Sequence, residues 1–139
     1  MDPHATYLFT YGTLMQGFDN PFAGLLRENA VYEGRGYFSG LLYLISWYPG
    51  AVFDKNVSSK VHGEIYRVTA PEALFVELDD YEDVFEDEKS SLYLRKTISI
   101  TTENETSIDC WVYLYNQSVA GLPLIEDGRF KHWVGGARQ

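Results

Sequence analysis

The stretch Thr69-Ala70-Pro71-Glu72-Ala73-Leu74-Phe75-Val76-Glu77-Leu78-Asp79-Asp80-Tyr81-Glu82 decides the fold class. Thr69 and Glu72 have the spacing of a capping box, in which the hydroxyl takes one orphan N–H and the carboxylate reaches back to another. Pro71 falls in the first turn, where its missing N–H costs nothing. The spacing predicts a helix ending at Tyr81 or Glu82. At ~100° per residue, with Leu74 at zero, Leu78 lies near ~40°, Phe75 near ~100° and Tyr81 near ~−20°, which makes one apolar stripe. Glu72, Glu77, Asp80 and Asp83 fall outside it and Asp79 lies at its edge. Glu82, near ~80°, falls inside it.

Around this helix the sequence reads mostly as strands. Tyr7–Tyr11 is a strand ended by Gly12. Pro21–Arg27 reads as one short helix. Val31–Ile45 suits strands, with Gly34, Gly36 and Gly40 as bends, and Trp47-Tyr48-Pro49-Gly50 reads as a turn. Val61–Val68 is a further strand. Tyr93–Thr101 alternates, with Leu94, Ile98 and Ile100 on one face and Tyr93, Arg95 and Thr97 on the other. Asp109–Tyr115 sets Trp111, Tyr113 and Tyr115 against Cys110, Val112 and Leu114. After Gly121 the chain is irregular, and Gly135–Gln139 is expected to be a loose tail. Strands around one conspicuous helix, with few βαβ alternations, predict an α+β domain built on a curled sheet or small barrel.

The chain of 139 residues is the length of one domain, taken here as 1–139. Its hydrophobic fraction of 45% and charged fraction of 22% exclude wholesale disorder, and aromatics at 16% favour a pleated surface. Eleven basic residues against twenty acidic ones give a formal charge of −9, a field that repels phosphate backbones, so no nucleic-acid partner is expected. No apolar run approaches a membrane span, and the start of the chain is not a secretory signal, so no membrane partner and a cytoplasmic location are expected.

An acid aimed at a core is costly unless it is paired or used. Glu82 therefore has three readings: it reaches water past the helix end, it joins an ion pair with a residue such as Arg95, or it is a catalytic carboxylate. The acids from Asp79 to Glu88 around it lack calcium-loop spacing and read as a solvated face. His4, His62 and His132 are scattered and Cys110 reads as a small core residue, so no metal is expected. Tyr11-Gly12-Thr13-Leu14, at the end of the first strand, is a turn whose successive N–H groups can face a ligand.

Phe9-Thr10-Tyr11-Gly12-Thr13-Leu14, Tyr48-Pro49-Gly50, Val61-His62-Gly63-Glu64-Ile65-Tyr66, Leu78-Asp79-Asp80-Tyr81-Glu82, Tyr93-Leu94-Arg95 and Trp111-Val112-Tyr113 occur in this order. The ordered set, from Tyr7 to Tyr115, resembles the gamma-glutamylcyclotransferase-like family, especially the branch of gamma-glutamylamine cyclotransferases and plant avirulence-induced proteins. The resemblance implies a small mixed β-barrel with a few flanking helices. It also implies a cofactor-independent enzyme whose small-molecule gamma-glutamyl substrate cyclises to 5-oxoproline, releasing an amine or amino acid.

By the same resemblance, Glu82 is the proton acceptor; burial against Tyr81 and Phe75 would raise its pKa and make it a better base. Tyr11, Gly12, Thr13 and Leu14 line the substrate site. Tyr93 contacts substrate or serves as a core or rim aromatic, and Arg95 pairs with Glu82 or a nearby acid. Asp83 departs from the Gly that many members carry there, and Gly128-Arg129-Phe130 followed by His132-Trp133 matches only approximately. Two other functions fit the same fold: removal of a gamma-glutamyl protecting group, and a non-catalytic protein for metabolite binding or stress signalling. Retention of both Glu82 and the Tyr11–Leu14 loop favours chemistry.

Overall fold

The computed structural model describes residues 5–15, 20–82, 84 and 87–130. Its elements are β1 (Thr6–Thr10), α1 (Pro21–Asn29), β2 (Ala30–Leu44), β3 (Pro49–Phe53), β4 (Lys60–Val68), α2 (Pro71–Tyr81), a short 3-10 turn at Glu88–Ser90, β5 (Tyr93–Thr102) and β6 (Ser107–Tyr115). Hydrogen bonding follows the order β3-β2-β4-β1-β6-β5, and a further β2–β5 pairing closes five strands into a barrel with β3 appended to β2. The β1–β6 pair is parallel and the other pairs are antiparallel. This is the expected α+β mixed barrel with flanking helices.

Strand alternation divides the apolar residues between two cores. Tyr7, Phe9, Phe38, Val61, Ile65, Ile100, Cys110 and Val112 fill the barrel. The opposite face of the same wall gives Leu8, Tyr66, Val68, Tyr93 and Tyr113, which pack against Leu26 of α1 and Leu74, Phe75 and Leu78 of α2. The β6 alternation and the α2 stripe are therefore as the periodicity predicts. Cys110 lies in the barrel core, where burial pushes its thiol up to about 12.

Four local expectations are corrected. Thr69 does not cap α2: the N-cap residue is Ala70 without a side-chain cap, and the Thr69 hydroxyl donates to the Asn29 carbonyl at 2.8 Å. Residues 30–44 form one strand. Gly34, at φ +135°, sits at a register shift in its pairing with β4, while Gly36 and Gly40 admit neighbouring carbonyls that a Cβ would meet at 2.8 and 2.3 Å. Pro49-Gly50 opens β3 rather than closing a turn, because β2 offers it a partner from Gly40 to Leu44. Finally, α1 runs to Asn29, two residues beyond Arg27; Asn20 caps it with Pro21 in the first turn. The tail at 135–139 and Asp83 lie outside the described residues.

Candidate active site

The β1 strand ends at Thr10, and the chain then turns through Gly12 to Met15, whose N–H donates to the Gly12 carbonyl at 3.1 Å. The turn needs Gly12, since a Cβ there would meet the stiff Pro49 ring at 2.9 Å. None of the main-chain amides of Gly12, Thr13 and Leu14 is paired with an acceptor among the described residues. The turn is held from outside: Asn20 accepts from the amides of Phe22 and Ala23 while its Nδ2 donates to the Thr13 carbonyl at 2.9 Å. The Thr13 and Tyr81 hydroxyls are 2.8 Å apart, and the Tyr81 ring stacks on Phe22 at 4.2 Å.

These residues border a cavity of about 170 Å³ between the outer face of the barrel wall and the C-terminal end of α2. Tyr11, Gly12, Thr13, Leu14, Tyr93 and Glu82 all line it, so the structure brings together every site residue expected from the sequence. Glu82 is the C-cap of α2 and half-buried, its N–H donating to the Leu78 carbonyl at 2.9 Å. Tyr81 stands in the same wall. Phe75 does not: it packs under the Arg95 guanidinium at 4.2 Å and edge-on to Trp111. Among the described residues, the buried Thr10 hydroxyl in this wall has no hydrogen-bond partner. Among the described residues, no group of three or more His, Cys, Asp and Glu gathers to hold a metal ion.

The tyrosine hydroxyls of the site are structural ties as well as lining. Tyr11 donates to the Tyr113 carbonyl at 2.5 Å and accepts from the Ala51 amide at 3.1 Å. Tyr93 donates to the Pro49 carbonyl at 2.5 Å. Burial raises all of Tyr11, Tyr81, Tyr93 and Tyr113 above the ordinary phenol range, and the charge of Glu82 adds to each shift. They remain protonated at neutral pH.

Asp79 corrects the expectation of a solvated acidic face. It is half-buried, takes a two-pronged contact from Arg95 at 2.9 and 3.2 Å, and accepts the Tyr113 hydroxyl at 2.6 Å. Arg95 is itself sandwiched by Phe75 and Trp111 at 4.2 and 4.6 Å. The expected structural role of Arg95 is thus met through Asp79. Sequence reading missed Asp79 and Tyr113 because their contacts join three elements. It also missed Asn20, although Asn before Pro is a legible helix start.

The family described as gamma-glutamyl cyclotransferase, AIG2-like, matches residues 8–132 of this chain. A gamma-glutamylcyclotransferase family protein, ytfP, of Citrobacter rodentium is 34% identical over 124 residues, covering 88% of this chain and 93% of that protein. A Methanocaldococcus jannaschii protein with a provisional gamma-glutamylcyclotransferase name is 30% identical, covering 93% of this chain and 98% of that one. The crystal structure of an AIG2-like protein from Mus musculus is similar with a TM-score of 0.69 and 28% identity, covering 88% of this chain and 87% of that one.

Two outcomes follow from the site's packing. Tyrosines whose folded-state proton affinity exceeds the unfolded value of about 10 stabilise the fold fully below that pH and progressively less above it. Denaturant unfolding should therefore show a stability that is level up to about pH 10 and falls progressively as the pH rises further, with phenolate absorbance rising together with unfolding. Asp79→Asn leaves Arg95 without its counter-charge and should cost about 1–3 kcal/mol in the same measurement, whereas Asp80→Asn, at an exposed position, should cost less than about 0.5 kcal/mol.

Proposed function

The chain belongs to the gamma-glutamyl cyclotransferase, AIG2-like family, and we propose that it cyclises a small gamma-glutamyl compound to 5-oxoproline with Glu82 as the base. The observation that carries this reading is the sharing of one small cavity by Glu82 and the Gly12–Leu14 turn, whose amides have no acceptor among the described residues. The proposed enzyme works without a cofactor, as a soluble cytoplasmic protein; no helix of the described residues is long and apolar enough to cross a membrane.

The substrate's alpha-ammonium cannot attack until it loses a proton, and Glu82 accepts it. The freed amine nitrogen bonds to the gamma-carbonyl carbon, and the carbonyl oxygen gains charge. Amides of the Gly12–Leu14 turn, fixed before substrate arrives, stabilise that oxygen. The bond from the gamma-carbon to the leaving nitrogen then breaks. Glu82 hands its proton to that nitrogen and then takes the surplus proton from the new ring nitrogen and passes it on as well, so the carbonyl re-forms, the amine departs as an ammonium and the carboxylate is restored. The cavity is below the ~300–1,000 Å³ of drug-sized sites, which suits a five-carbon unit held folded for ring closure.

The test is 5-oxoproline release from a panel of gamma-glutamyl compounds. Glu82→Gln keeps the side-chain volume and removes the proton acceptor. Turnover should fall about 10²–10⁴-fold, with thermal stability equal to or slightly above that of the parent. Its affinity for 5-oxoproline should change little, whereas Gly12→Val should abolish that affinity by pushing into Pro49 and the turn. A folded Glu82→Gln variant with normal turnover overturns the role of Glu82 as base.

A further inference from the structure

Trp47 is the exposed member of the cavity lining, at 67% of its full accessibility; the other lining residues are half-buried or buried. It therefore marks the mouth. Trp47 belongs to neither core, and among the large exposed apolar side chains it is the one that lines the cavity. Its ring stands edge-on to Tyr48 at 5.0 Å and 81°, and Tyr48 in turn is tilted towards Tyr93 at 6.5 Å. Tyr93 is buried in the cavity wall and anchored to the Pro49 carbonyl. Three rings thus lead from solvent to the interior.

The charge of the cavity adds a second constraint. Among the described residues, no Lys, Arg or His lines the cavity and Glu82 is the one carboxylate that does. Arg95, on the strand that carries Tyr93, is engaged by Asp79. A negative group on the departing side of the substrate would meet no counter-ion among the described lining residues, within a chain of net charge −9. The interior accommodates the glutamyl unit, so the departing group must lie across the mouth.

We propose that Trp47 and Tyr48 form a leaving-group subsite selective for amines that carry an apolar, preferably aromatic, group and no carboxylate. This inference rests on the cyclisation proposed above and specifies which gamma-glutamyl compounds it acts on. Flat rings gain both buried area and edge-to-face contact on such a surface, while an alkyl chain gains only the area.

The experiment compares gamma-glutamyl phenethylamide, gamma-glutamyl butylamide and gamma-glutamyl-phenylalanine on the parent protein, Trp47→Ala and Trp47→Phe. In the parent, kcat/KM for the phenethylamide should exceed that for the butylamide by about 10-fold, and exceed that for the phenylalanine conjugate, which adds only a carboxylate, by a similar factor. Trp47→Ala should bring the aryl-to-alkyl ratio close to one, Trp47→Phe should keep most of it, and 5-oxoproline affinity should be unchanged in both. Equal turnover of the two amides by the parent, or an equal loss for both in Trp47→Ala, overturns the subsite. Indole fluorescence separates this inference from the reaction itself. If no compound is cyclised, a Trp47-dependent fluorescence change with the phenethylamide and none with the butylamide still supports the subsite, and no such change overturns it.

Discussion

One buried hydroxyl carries the arrangement of the site. Tyr11 stands where β1 ends, and its oxygen joins the Tyr113 carbonyl on β6 to the Ala51 amide on β3. Tyr113 continues the connection through its own hydroxyl to Asp79 on α2, and Asp79 continues it to Arg95 on β5. Five elements are thus tied by hydrogen bonds that are buried at the Tyr11 end and part-buried at Asp79 and Arg95. In such surroundings an unpaired polar group is expensive, so the chain of bonds stands or falls together. Its two ends place the Tyr11–Leu14 turn and the last turn of α2 against the same cavity.

The same network explains why the turn can keep open amides. Asn20 and Tyr81 hold its carbonyl and its hydroxyl from either side, and Pro49 limits it from below. Unpaired donors cost free energy unless water or a ligand reaches them. Here that cost is borne by a turn that other elements over-determine, which is how strained or unsatisfied features persist at functional positions.

What the sequence made legible was periodic. The β6 alternation assigned Cys110 and Val112 to the barrel and Tyr113 to its outer face, and the α2 stripe singled out Glu82. What it hid was decided across distance. Thr69 has the spacing of a cap, yet the Asn29 carbonyl lies within reach and takes its hydroxyl. Asp79 sits among acids in the sequence, but its partners come from 16 and 34 residues further along. Pro49-Gly50 carries turn chemistry locally, and only the second half of β2 makes it a strand. Pattern within an element was readable; the choice of partner between elements was not.

The two sides of the cavity have opposite electrostatic character, and this suits the proposed reaction in a specific way. The carboxylate side lies at the C-terminal end of a helix, where the aligned peptide dipoles favour a cation. The turn side presents amide hydrogens, which favour an anion. A substrate entering with an ammonium group and a neutral carbonyl matches the first side at once and the second only weakly. As the ring closes, the ammonium charge disappears at Glu82 and negative charge grows on the oxygen. The match to the turn therefore improves at the moment the match to the carboxylate is given up. Interactions that strengthen towards the transition state are the ones that accelerate a reaction. The protonated tyrosines between the two sides stay neutral throughout, so they hold the geometry without competing for the proton.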